Sequence, residues 1–320
     1  HKIASLRRLA MEEPDHKQAI ILKAIDDRSG AKREQLVPLA SWLISEKQPE
    51  LLLKFIKEEQ AREYAPLLPH YLNALTMMNR MDEVERIVKD TRTRLTTAER
   101  DYYLVHLAYL KNKMTDKSNE ELDKQLVDAV SSSLKENRLD LLSQLGQYAE
   151  IRGRYRTSMQ AYKAVSLNTK TEREGYEGML RVSYLMGSSV DFASIARETA
   201  RRWPDNQTFL ERYFYSCLLN GSEMEVVGER CRKLYEARPD DPLRKLLMSL
   251  ASYRMGDLDS CVRYLKETSL STLTPGQGAV FCGMLRSIGF IKQAGDLARK
   301  IPDDLPMLPE ESGFLRFAKS

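Results

Sequence analysis

Four histidines, four cysteines and five acidic doublets are the residues of this 320-residue chain from which chemistry would have to be built. His1, His16, His70 and His106 are scattered and form no HExxH or i, i+4 ligand pair, so each reads as a surface or repeat-packing side chain. Cys217, Cys231, Cys261 and Cys282 show neither CxxC nor ligand-like spacing and read as small buried thiols rather than disulfides or metal ligands. The doublets are Glu12-Glu13, Glu58-Glu59, Glu120-Glu121, Asp240-Asp241 and Asp303-Asp304. General acid–base work needs carboxylates of contrasting environment in one cleft, whereas doublets at helix ends are solvated or favour a helix N-terminus. No GxxxxGK[ST], GxGxxG or GxSxG occurs. The glycine-rich run Thr274-Pro275-Gly276-Gln277-Gly278 follows no strand and lacks a phosphate-binding lysine, so it reads as a loop and helix cap. The chain is expected to be no enzyme and to need no cofactor or metal.

What the sequence does specify is helix stacking. In Leu145–Val165, Leu145 and Ala149 share one helical face, and Ser158, Ala161 and Tyr162 share a face of the next helix. Gly146 and Ser158 are small enough for the two helix axes to approach closely, and Gly153 stands where the chain turns. A Leu-Gly pair, a turn glycine, a following aromatic (Tyr155) and a small residue occur here in the order of a tetratricopeptide repeat, which this stretch resembles. Turn glycines recur at Gly153, Gly187, Gly221, Gly256 and Gly289, spaced 34, 34, 35 and 33 residues apart, and ~34 is that family's period. Met248–Leu265, with Gly256-Asp257-Leu258 at its turn, is the strongest further copy.

Helical periodicity continues toward the N-terminus. Residues 3–12, 15–27, 32–46, 49–59, 62–79, 81–92, 97–112 and 119–135 are predicted helices, with turns at Gln48, Arg80 and Asn112 in place of glycine. Pro66 and Pro69 are expected to delay the start of the 62–79 helix, and Thr96-x-x-Glu99 and Ser118-x-x-Glu121 read as capping boxes. The segment KMTDKSN reads as an insertion, and SLRRLAMEEPD resembles the end of a repeat's second helix. No strand-like alternation is present. The expected fold is an all-α superhelix (solenoid) of about eight tetratricopeptide-like repeats. It divides into degenerate repeats over 1–138, better-formed repeats over 139–301 and a capping tail over 302–320.

Composition narrows the function. Apolar residues at 42% suffice for a core, 30% charge gives a well-solvated surface, and a formal charge of +4 is too small a bias to suggest nucleic acid unless it is segregated. No apolar run reaches the ~18–20 residues of a membrane helix. The chain opens on His1 rather than Met, so a removed leader or anchor is compatible with it; a cytoplasmic location is favoured over a periplasmic or tethered one.

The resemblance implies a protein-interaction scaffold whose first helices line a groove for a peptide or partner helix. Candidate groove anchors are Arg181, Tyr184, Arg212, Tyr213, Tyr253, Arg254 and Arg286, because aromatic and arginine side chains anchor interfaces. The family's Lys/Asn clamp for a C-terminal carboxylate is not reproduced: the matching places hold Ser143 with Gln147, Arg212 with Ser216 and Leu246 with Leu250. A regulatory domain sensing a peptide or small ligand is the alternative. An RNA-reading array is less favoured, since Ser143, Gly178, Arg212, Leu246 and Ala279, in one column of the groove face, show no base-reading pattern. The basic runs Arg197/Arg201/Arg202 and Arg230/Arg232/Lys233 fall on second helices, the outer face.

Overall fold

The computed structural model describes residues 2–28, 30–111 and 119–320. No strand occurs among the described residues, and the chain forms two compact units, His1–Leu141 and Leu142–Ser320. Each is an α-α solenoid of tetratricopeptide-like helix-turn-helix pairs.

The first unit contains α1 (Lys2–Glu12), α2 (Lys17–Asp26), α3 (Arg33–Ser45), α4 (Pro49–Phe55), α5 (Glu58–Glu63), α6 (Leu68–Met77), α7 (Met81–Lys89), α8 (Thr97–Leu110) and α9 (Glu120–Lys135). Its core holds Trp42, Leu39, Leu43, Leu52, Ile56, Leu68 and Leu72, all fully buried. Two expectations are corrected here, and the delayed start expected from Pro66 and Pro69 is met. The 49–59 helix breaks at Ile56, whose backbone is extended (φ −104°, ψ 119°) while its side chain is buried, and α5 starts anew at Glu58. The 62–79 helix begins only at Leu68, because Pro66 disfavours helical geometry in the residue before it. The left-handed turn residues are Lys47 (φ 54°) and Asn79 (φ 57°), each one residue before the expected Gln48 and Arg80. The Thr96/Glu99 capping box forms in both directions, Glu99 N–H donating to Thr96 Oγ1 at 3.3 Å and Thr96 N–H to Glu99 Oε2 at 3.0 Å. The Asn112 turn and the Ser118 capping box lie outside the described residues; α9 is capped by Asn119, whose Oδ1 accepts from Leu122 N–H at 3.0 Å.

The second unit is built from the pairs α10 (Leu139–Ile151) and α11 (Tyr155–Val165), α12 (Glu172–Leu185) and α13 (Ser189–Arg202), α14 (Gln207–Asn220) and α15 (Met224–Ala237), α16 (Pro242–Arg254) and α17 (Leu258–Lys266), α18 (Pro275–Ser287) and α19 (Ile291–Ala298), followed by α20 (Pro309–Lys319). The division between units falls inside α10. Every expected turn glycine takes positive φ, from 64° at Gly187 to 97° at Gly289, where a Cβ would be strained. Close approach also follows the pattern: Ser158 Oγ donates to Gly146 O at 2.8 Å, and a Cβ on Gly146 would sit 3.1 Å from the Tyr162 ring. Across the next interface Gly178 leaves room for the base of that ring. All four cysteines are buried free thiols, and desolvation pushes Cys231 to about 12 and Cys261 and Cys282 to about 11.

Candidate functional site

Side chains from the first helices α10, α12, α14, α16 and α18, joined by Phe192 of α13 and Glu311 of α20, line one cavity of about 420 Å³ on the inner face of the second unit. The basic runs lie on the outer sides of the second helices α13 and α15. There Arg201 and Arg202 pair with Glu198, Arg202 also with Glu172, and Lys233 with Glu229, so much of the outer basic charge is met within the chain.

Helix α20 lies across the inner face. Its Glu311, fully buried, accepts hydrogen bonds from Tyr184 on α12 (2.8 Å), from Tyr215 on α14 (2.7 Å) and from its own Leu308 N–H (2.8 Å). Burial, with the neighbouring Glu310, raises the Glu311 carboxyl above its ordinary value against these three bonds, and raises the Tyr184 and Tyr215 hydroxyls as well. Ser189 donates to Glu310 at 2.5 Å. Along α18, Cβ atoms on Gly276 and Gly283 would collide with Glu311 and Phe314. Three glycines in a thirteen-residue helix cost roughly 1 kcal/mol each in propensity, and two of them make the space in which α20 docks. The tail thus does more than cap the last repeat: it packs on α18 and α19 and reaches two helices further back.

The seven predicted anchors fall into three places. Arg181, Tyr184 and Arg212 line the cavity together. Tyr253, Arg254 and Arg286 stand against α20: the Tyr253 ring meets Phe314 at 6.4 Å, the Arg254 guanidinium lies 5.9 Å from Phe314, and that of Arg286 lies 5.4 Å from Phe317. Arg254 also donates to Leu218 O at 2.9 Å, and Tyr253 to Ser287 at 3.1 Å. Tyr213 is apart from both, bordering an outer depression with Arg197, Arg230 and Lys233 and donating to Glu223 at 2.5 Å. Tyr215 and Glu311 are not among the candidates that residue type and spacing suggest. The first had a signal: Arg181-x-x-Tyr184 recurs in the next repeat as Arg212-x-x-Tyr215, side chains one turn apart on one face. Glu311 had none beyond its place after Pro309.

The electrostatics are mostly closed. Arg181 donates to Glu150 at 3.3 Å and to the Tyr162 hydroxyl at 3.0 Å while its guanidinium lies 5.5 Å from the Tyr162 ring centroid. Arg244, almost wholly buried, donates to Glu211 (2.8 Å), Leu234 O (2.7 Å) and Gln207 (2.6 Å). His70 and His106 are held below their ordinary pKa by burial, His106 stacked on Tyr102 at 5.5 Å, and no group of three metal-ligating side chains occurs among the described residues.

Fold and site together define a helical-repeat protein of tetratricopeptide-like architecture. No protein-family model and no curated protein matches the chain. Among solved structures it is similar to a chain in the crystal structure of the APC/C hetero-tetramer Cut9-Hcn1, with 13% identity and a TM-score of 0.41 over 94% of this chain. The match spans 65% of that chain, and a likeness of this degree carries no argument about what this protein binds. No described helix is long and apolar enough to cross a membrane.

Proposed function

We propose that the protein is a non-enzymatic interaction scaffold whose second unit receives a partner helix or extended peptide along its inner face. The observation that carries this reading is α20 itself. A short amphipathic helix already occupies part of that face, held by a carboxylate among tyrosine hydroxyls and by Phe314 and Phe317 beneath arginines. A surface that accepts this helix has the chemistry to accept another of the same kind, an acidic residue followed by aromatics on one face.

The test is capture from native lysate by the wild-type chain and by the Tyr253→Glu/Arg286→Glu double variant, with and without nuclease. A peptide of residues 305–320 is added as competitor. A protein retained through nuclease, lost with the double variant and displaced by the peptide supports the reading. Partners that vanish with nuclease point instead to nucleic acid, and a double variant that keeps every partner removes the inner face from consideration.

A further inference from the structure

The cavity on the inner face contains one guanidinium without a direct partner. Arg212 is half-buried, and among the described residues it forms neither a hydrogen bond nor an ion pair. Its charged neighbours are taken: Glu211 by Arg244 at 2.8 Å, Glu150 by Arg181 at 3.3 Å, Glu177 by Arg173 at 2.9 Å. Glu311 has its three donors. A guanidinium cannot shed its proton, and Glu177 and Glu211 attract this one without touching it, so a bound anion would supply the direct partner it lacks. The position is also out of keeping with its column: Ser143, Gly178, Leu246 and Ala279, the equivalent places in other repeats, carry no charge, and the last three are buried.

The rest of the cavity says what the anion is attached to. Leu180, Leu185, Phe192 and Leu243 make an apolar wall, and Thr208 and Gln277 add polar groups. The volume of about 420 Å³ falls within the roughly 300–1,000 Å³ of small-molecule sites. A planar guanidinium fork matches a carboxylate in bidentate fashion. Three carboxyl groups at the border, Glu150, Glu211 and Glu311, oppose any anion and a doubly charged phosphate twice as strongly as a single carboxylate.

We propose that this cavity binds a small organic acid, its single carboxylate on Arg212 and its apolar body against Leu180, Phe192 and Leu243. The site goes beyond the scaffold reading and does not depend on it. The probe is octanoate, titrated calorimetrically into the full chain, with octanol, octylammonium and inorganic phosphate as comparisons. Octanoate is expected to bind at one per chain, more tightly than any of the three. Arg212→Met is expected to weaken it at least tenfold and Arg212→Lys less. Ligand-free Arg212→Met is expected to melt no lower than wild type, because it removes an unpaired charge; this separates lost binding from misfolding. Should that variant fail to fold, Leu243→Trp fills the apolar end and must abolish octanoate binding with the helical circular dichroism unchanged. Octanoate bound equally by wild type and variant, bound by neither, or matched by phosphate overturns the assignment.

Discussion

The Tyr215 hydroxyl donates to the buried Glu311 carboxyl across 2.7 Å, joining a residue of α14 to one of the last helix, 96 positions away. Tyr184 meets the other oxygen of the same carboxyl at 2.8 Å. Hydrogen bonds to a charged group contribute about 1.5–3 kcal/mol each, and an orphaned partner adds its own desolvation. Tyr215→Phe and Tyr184→Phe should each loosen α20, and the pair should cost less than the sum because they share one acceptor. Amide exchange over residues 309–319 reads this directly; unchanged protection in the double variant would sink the idea.

The same carboxyl makes docking depend on pH. Burial raises Glu311 above its ordinary 4.5, with Glu310 adding to it and Tyr215, Leu308 N–H and Tyr184 opposing it. A group whose folded pKa is raised binds more protons folded than unfolded, so its contribution is full below 4.5 and is lost as pH rises through the folded value. Protection of α20, corrected for intrinsic exchange, should therefore increase as neutral solution is acidified toward that value. Glu311→Gln should flatten the profile, and protection that falls on acidification in wild type would contradict the assignment.

Arg244 is a third expectation. Its guanidinium is satisfied by Glu211, Gln207 and Leu234 O at 1% exposure. Removing one partner of such a buried pair costs about 3–5 kcal/mol, because the other charge stays behind unpaired. Arg244→Ala should thus shift denaturant unfolding of the second unit strongly. Arg244→Met paired with Glu211→Leu should recover most of the loss; if the double variant is as weak as the single, the loss comes from packing rather than charge.

Gly178→Ala tests the stacking itself. The added methyl would collide with the base of the Tyr162 ring, whose tip is already close to Gly146. Overpacking of this kind costs about 1–3 kcal/mol. Thermal melting should fall for Gly178→Ala and recover in part with Tyr162→Leu added; a melting point equal to wild type would mean that the interface is looser than drawn.

The repeat architecture was legible wherever a glycine performs a task that other residues do poorly. Gly153, Gly187, Gly221, Gly256 and Gly289 all turn left-handed, as their period predicts. In the first unit Lys47 and Asn79 take the same conformation without glycine's signature, and the pattern located those turns one residue late. Pro66 announced a delayed helix start, but the break at Ile56 follows from tertiary burial and left no mark in the helical period. At the candidate site, type and spacing pick out Arg181, Tyr184 and Arg212, which share the cavity, and equally Tyr213, which does not. Their neighbours Tyr215 and Glu311 come together only through the return of the tail, and no local pattern encodes a contact across 96 residues.

That return changes what kind of object the second unit is. An ordinary solenoid touches only its nearest neighbours, so it can gain or lose a repeat and fray from either end. Here the Tyr184–Glu311 bond spans 127 positions and fixes the number of repeats between its ends. A duplicated or deleted 34-residue module would carry Glu311 away from its tyrosines and should undock α20. Its folding should end on a long loop closure rather than an unzipping, and the unit should melt as a single cooperative block from Leu142 to Ser320.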